Sequence, residues 1–182
     1  MKTIIKNEFE IHVNLRKNKN AIIIYQKGKE PVTFIVSAGK ATRPGEFIFT
    51  KRDDPTKIQG KWGLQYFASF DEGRGFHSTE AYPTREIYCT SEFAAECSKP
   101  ENKAKKRFHL TLVADGIARS HGCIRLNPDD AKWLYENVPN GTNVIIYDEE
   151  TFRQPSWAKT SDKSSSMEIE EIAKNELGEK PR

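Results

Sequence analysis

The stretch SHGCIRLNPDDAKWLYENVPNGTNVIIYD, residues 120–148, sets a histidine, a glycine and a cysteine a few residues ahead of the strongest helix signal in the chain. Asn127 is a suitable N-cap, Pro128 fits the first helical position, and Asp129 and Asp130 favour the positive end of the helix dipole. Ala131, Leu134, Tyr135 and Val138 then recur at helical spacing and mark one apolar face. Pro139, Asn140 and Gly141 stop the helix, and TNVIIYDE (142–149) reads as a closing strand. This setting leaves Cys123 four fates: nucleophile, metal ligand, half of a disulfide, or small buried hydrophobe.

Working outward, the upstream chain is β in character. FEIHVNL (9–15) alternates Phe9, Ile11, Val13 and Leu15 with polar residues, the period of a half-buried strand, which places His12 toward solvent. NAIIIYQKGKEPVTFIVSAG (20–39) holds two β-branched runs around a turn with Gly28, a hairpin pattern. TRPGEFIFTKR (42–52) opens on a Pro-Gly turn and predicts a strand from Glu46 to Lys51. KWGLQYFASF (61–70) reads as one aromatic-rich strand covered on both faces, with Trp62, Tyr66 and Phe67 as core side chains or, alternatively, as lining of a substrate groove. DEGRGFHSTEAYP (71–83) supplies a glycine-flanked turn and a short strand to His77, and RFHLTLVADG (107–116) a further short strand.

Residues 83–106 are polar and lysine-rich, and form either an insertion or lid over His77 or a solvated connector. From about residue 150 the composition shifts to Ser, Lys and Glu. The expected organisation is one domain over 1–150 and a polar C-terminal tail over 151–182, where SMEIEEIAKNEL (166–177) is a short helix that needs docking to be stable.

A chain of 182 residues supports one domain with a proper core. Its net charge of +3 is spread without a basic stripe, which argues against nucleic acid as a partner. It contains no apolar run of about 18 residues that would predict a membrane helix. The start, MKTIIKNEFEIHV, lacks the apolar core and cleavage site of a signal peptide, so the chain reads as cytoplasmic or as a mature exported chain. In an exported protein Cys89 and Cys97 form a local disulfide; otherwise all three cysteines are reduced thiols. The sequence has no CxxC, and His121 with Cys123 would need two further ligands to hold zinc, so no metal and no cofactor are expected.

A thiol near its ordinary pKa of about 8.5 is only a few per cent ionised at pH 7, so a nucleophilic cysteine needs a base or a positive field. Cys123 has His121 two residues before it, Arg125 two residues after it, and the helix start beyond. Gly122 permits close approach of a substrate, and the N–H groups of Gly122 and Cys123 can face a tetrahedral oxyanion. This local chemistry suits cysteine acyl transfer and leaves a structural cysteine open beside it.

Beyond local chemistry, SHGCIRL (120–126) resembles the signature of the L,D-transpeptidase catalytic domain family of YkuD type. VSAGKATRPGEF (36–47) is similar to that family's Val-Ser-x-Gly segment and the turn that follows, with Arg43 inserted before Pro44. GFHSTEAYP (75–83) resembles its apolar-His-Ser/Gly segment, and residues 120–148 resemble the end of the domain nearly position for position. The resemblance covers roughly residues 9–148 and implies a mainly β, sandwich-like fold with one or two short helices.

The resemblance also implies a peptidoglycan-directed cysteine enzyme. Such an enzyme attacks a tetrapeptide stem at its third residue, releases the terminal D-alanine, passes the acyl group to an amine, and is acylated by carbapenems. It implies Cys123 as nucleophile, His77 as general base and His121 as a pocket residue that binds substrate. Ser78 orients His77, usually through its backbone carbonyl; Ser120 and Gly122, with Cys123, support the loop and the oxyanion. Arg125 buttresses the loop or meets a carboxylate, and Tyr82 lines the groove. One departure stands out: the family's upstream histidine usually lies well under thirty residues before the cysteine, whereas His77 lies 46 before (123 − 77) and His109 lies 14 before (123 − 109). The tyrosine-bearing context favours His77, and His109 fits a strand pattern.

The expected place of action is the cell envelope or beyond it, the absent signal peptide also suiting an effector delivered into a competitor's wall. Water as acceptor would make the same site an L,D-carboxypeptidase or endopeptidase. A wall-binding module that had lost turnover would have no need of the thiol.

Overall fold

The computed structural model describes residues 8–51, 62–83, 98–103 and 110–158. The alternating apolar run of β1 (Phe9–Asn14) lies in the middle of a five-stranded sheet. It pairs antiparallel with β2 (Ala21–Gln26) and parallel with β12 (Asn143–Tyr147), while β3 (Val32–Ile35) and β4 (Gly45–Ile48) flank these two. A four-stranded sheet in the order β11 (Ile124–Leu126), β8 (Arg74–Ser78), β7 (Ala68–Asp71) and β5 (Thr50–Lys51) packs against it. Ile11, Val13, Ile22, Ile24, Val144 and Ile146 meet Ala68, Phe70, Phe76, Ile124 and Leu126 between the two sheets. Each such large side chain taken out of water contributes about 1.5–3 kcal/mol. A three-stranded sheet joins β10 (Leu110–Thr111), β9 (Glu80–Pro83) and β6 (Trp62–Leu64), and α1 is a short turn of helix at Pro100–Lys103.

The helix expected after Asn127 is α2 (Pro128–Asn137), which buries Ala131 and Leu134 in the sandwich core. Asn127 occupies the N-cap without a side-chain bond, so Pro128, Asp129 and Asp130 carry the start signal. The fold is therefore mainly β and sandwich-like with short helices, as the resemblance implies.

Three expectations need correction. The strand expected over Glu46–Lys51 is broken, because β4 belongs to one sheet and β5 to the other. The chain crosses between them at Phe49, whose ring is fully buried and whose N–H donates to the Thr142 carbonyl at 2.8 Å. Burying that ring outweighs keeping one straight strand. KWGLQYFASF is likewise two strands, since β6 ends at Leu64 and Tyr66 takes a left-handed φ of +53° before β7 begins.

His12 does not face solvent and is only 2% exposed. It shares the outer face of the sheet with Ile23, where Phe152, Trp157 and Ala158 pack on Ala21, Ile23, Tyr25 and Ile35. Beneath this cover the Arg153 N–H donates to Tyr147 Oη at 2.9 Å, and Tyr147 Oη lies 3.4 Å from His12 Nδ1. His12 Nε2 lies 2.6 Å from Glu10 Oε1. Burial lowers the His12 pKa against the upward pull of Glu10; a neutral ring, accepting at Nδ1 and donating at Nε2, completes this chain of bonds.

Candidate active site

The parallel pairing of β11 with β8 brings the quoted motifs together. Ile124 lies opposite Phe76, Arg125 opposite His77, and Leu126 opposite Ser78. Phe76, Ile124 and Leu126 point into the core, so His77 and Arg125 occupy the other face. Cys123 directly precedes β11 and falls level with Gly75, one diagonal step from His77 on that same face. The 46 residues between His77 and Cys123 therefore impose no distance, because neighbouring strands set it.

His77 is 3% exposed, and its Nδ1 lies 2.7 Å from the Ser78 carbonyl oxygen. A carbonyl only accepts, so Nδ1 carries the proton and Nε2 holds the lone pair. Burial pulls the His77 pKa down to about 4, against the upward pull of the Ser78 bond, and the Arg125 charge lowers it further. The ring is neutral at pH 7. Phe67 stacks on it with centroids 6.4 Å apart and planes 6° from parallel. Gly75 makes room for that stack, since a Cβ there would stand 2.6 Å from Phe67 Cζ.

The Ser120–Cys123 loop is held from behind by the segment Ser37–Thr42. Lys40 N–H donates to the Ser120 carbonyl at 3.0 Å and Ala41 N–H to the His121 carbonyl at 2.8 Å. Thr42 Oγ1 accepts from Gly39 N–H at 2.9 Å and donates to the Gly122 carbonyl at 3.0 Å. Three successive carbonyls thus face one way. In a planar trans peptide the N–H of the next residue opposes the carbonyl, so the N–H groups of His121, Gly122 and Cys123 point away from Lys40–Thr42. Close approach of Gly39 to Gly122 permits this, because a Cβ on Gly39 would lie 2.3 Å from Gly122 Cα. The Ser120 hydroxyl donates to the Cys123 carbonyl and closes the turn.

Cys123 is a half-buried thiol, its Sγ 4.0 Å from the Gly73 carbonyl oxygen, and His121 is exposed beside it. Arg125 is 5% exposed, with backbone bonds in both directions to Ser37 at 2.9 and 3.0 Å. Asp115 braces the approach to the loop, bonding Ser37 Oγ at 3.0 Å and Arg119 Nη2 at 2.6 Å; Arg119 holds its carboxyl below the usual range.

The quoted motifs include Gly39 and Thr42 but give no sign that they hold the cysteine loop, because those contacts are mostly to backbone. Cys89, Cys97, His109 and the Tyr82 side chain lie outside the described residues. Among the described residues no three His, Cys, Asp or Glu side chains gather as a metal site.

The chain matches YkuD, the L,D-transpeptidase catalytic domain, over residues 8–146. It belongs to that family. Among curated relatives, YciB of Bacillus subtilis, an L,D-transpeptidase by name, is 47% identical over 49 residues, 27% of this chain and 25% of its own length. YbiS of Escherichia coli, also an L,D-transpeptidase by name, is 53% identical over 34 residues, 19% of this chain and 11% of its own. The matched stretch thus spans a quarter or less of these relatives. An L,D-transpeptidase from Stackebrandtia nassauensis has 21% identity and a TM-score of 0.49, covering 81% of this chain and 62% of the other. The catalytic domain of the E. faecium L,D-transpeptidase has 20% identity and a TM-score of 0.47, covering 79% and 99%.

Proposed function

We propose that this member of the YkuD family is a peptidoglycan L,D-transpeptidase working through a Cys123 thioester outside the cytoplasmic membrane. The observation that carries the reading is the β8–β11 register, which sets His77, neutral and with its lone pair on Nε2, one diagonal step from Cys123.

The steps follow from that geometry. His77 Nε2 takes the thiol proton, and the Cys123 thiolate attacks the carbonyl of the third stem residue. The tetrahedral oxygen gains its charge opposite the N–H groups of Gly122 and Cys123, with that of His121 beside them. Collapse breaks the peptide bond, and His77 returns its proton to the departing amine of D-alanine. An acceptor amine then attacks the thioester and loses a proton to His77. The new amide forms as the thiol leaves and takes that proton back.

Ser78 fixes the His77 tautomer and Ser120 closes the loop. His121, exposed beside Cys123, contacts substrate, and Tyr82 is assigned with it to substrate binding. Arg125, buried beside His77, acts as a buttress. The domain spans residues 1–150, with 83–106 as an insertion and Phe152, Trp157 and Ala158 packed on its outer face.

Intact-mass measurement after incubation with a carbapenem tests this. Wild type is expected to gain one adduct and Cys123→Ala none. An adduct on the variant, or none on wild type, refutes it. Products from a stem tetrapeptide, with and without an added amine, separate transfer from hydrolysis.

A further inference from the structure

Arg74, the first residue of β8, lies against the cysteine loop and touches two parts of the site as well as its own hairpin. A Cβ on Gly122 would stand 2.9 Å from Arg74 Cδ and 3.3 Å from Cγ, so the methylene stem lies directly against the glycine before the cysteine. Arg74 Nη1 donates to the Ala41 carbonyl at 2.8 Å, within the segment that holds the loop from behind. Its Nη2 lies 3.5 Å from Asp71 Oδ2, which aims the guanidinium back along its own hairpin. The preceding residue, Gly73, is the one whose carbonyl lies 4.0 Å from Cys123 Sγ.

These contacts make a clamp. Thr42 and Ala41 bond the loop's carbonyls, and the Arg74 stem packs on Gly122 where a Cβ would project. The fork also ties the two jaws together through Ala41. A glycine flanked by a histidine and a cysteine has wide conformational freedom of its own. Held on two sides, the Gly122–Cys123 peptide keeps its N–H in one direction.

We propose that Arg74 is a positioning residue: it holds the Gly122–Cys123 peptide so that its N–H meets the oxyanion during acyl transfer. This rests on the reading of Cys123 as the nucleophile. It predicts a separation between two reactions of the same thiol. Acylation by a carbapenem builds an oxyanion and needs the clamped N–H. Alkylation by iodoacetamide displaces iodide at a saturated carbon, builds no oxyanion, and needs only the thiolate.

The test follows carbapenem acylation by intact mass, and alkylation by the mass of the Cys123-containing peptide after digestion so that Cys89 and Cys97 are counted apart, across pH, for wild type, Arg74→Met, Arg74→Lys and Cys123→Ala. Arg74→Met keeps an apolar stem and loses the fork. It is expected to slow carbapenem acylation by about 10- to 100-fold, while the alkylation rate and its apparent pKa stay at the wild-type values. Arg74→Lys, which retains a stem and one donor for Ala41, is expected to restore acylation to within about three-fold of wild type. The proposal is overturned if Arg74→Met leaves acylation unchanged, if both reactions slow together, or if the alkylation pKa moves upward. The last result would mean that the arginine acts on the thiol by charge. Carbapenem acylation of Cys123→Ala would instead refute the nucleophile assignment itself, whatever Arg74 does.

Discussion

Acidification should cost this protein stability through His77, by an amount the structure allows to be worked out. The perturbation is a change from pH 7 to pH 4, compared in wild type and His77→Asn. In the folded chain the ring stays neutral down to about pH 4, because burial disfavours its cation. In the unfolded chain it titrates near 6.5. At pH 7 both states are neutral, and the group contributes no pH dependence. As the pH falls through 6.5 the unfolded chain takes up a proton that the folded chain refuses until about pH 4. Stability is therefore lost across that window. The interval from 6.5 to about 4, at about 1.4 kcal/mol for each pH unit and allowing for half-protonation of the folded ring at the lower end, gives about 3 kcal/mol. At pH 7 the variant is the less stable, having lost the stack on Phe67 and gained a void. That gap should close by about 3 kcal/mol as the pH reaches 4, since the variant has no ring to protonate. His12 also loses stability on acidification, but it is present in both proteins and cancels. Urea unfolding at pH 7, 5.5 and 4 measures the gap. Curves that fall in parallel, with the gap constant within about 1 kcal/mol, would refute the argument that His77 is held neutral by burial.

Further outcomes follow from the loop's surroundings. Gly39→Ala places a Cβ 2.3 Å from Gly122 backbone and should lower Tm by about 5 °C or more by calorimetry. Thr42→Val leaves the Gly39 N–H and the Gly122 carbonyl without their shared hydroxyl; it should cost about 1–3 kcal/mol in urea unfolding, with Thr42→Ser close to wild type. Phe152→Ala combined with Trp157→Ala uncovers the outer face of the five-stranded sheet, and NMR titration should find the His12 pKa closer to 6.5 than in wild type. Carbapenem acylation at steady pH steps should keep its rate well below pH 6, because His77 remains a base there; an acid limb centred near 6.5 would count against His77 in that role.

What could be read from the residues divides along physical lines. Alternation in FEIHVNL places Ile11 and Val13 in the core, because a strand's two faces follow from its period. The same alternation says nothing about what lies over the second face, and so it misplaces His12. The cover comes from Phe152 and Trp157 in a stretch whose average composition is polar. Strand breaks at Phe49 and Tyr66 have no local signal of the usual kind. One is driven by burial of a ring between sheets, the other by a left-handed residue that is not glycine. At the site, Cys123 stands out through its neighbours Ser120, His121 and Gly122. Its proximity to His77 is invisible in linear spacing, because a parallel strand pair decides it. The hold of Thr42, Gly39 and Arg74 on the cysteine loop lies in backbone contacts that no residue pattern announces.

The strand pair also has a consequence for how this domain can vary. β9 and β10 meet as antiparallel neighbours, Ala81 opposite Leu110 and Glu80 opposite Thr111, so the chain between them leaves and re-enters the sheet at one place. His77 lies before that exit and Cys123 after the return, each fixed by β8 and β11. Lengthening or exchanging the intervening chain therefore leaves the two motifs in register, much as a cassette can be swapped without rewiring the machine that reads it. Lineages can rebuild that stretch of chain while His77 and Cys123 stay where the sheet put them.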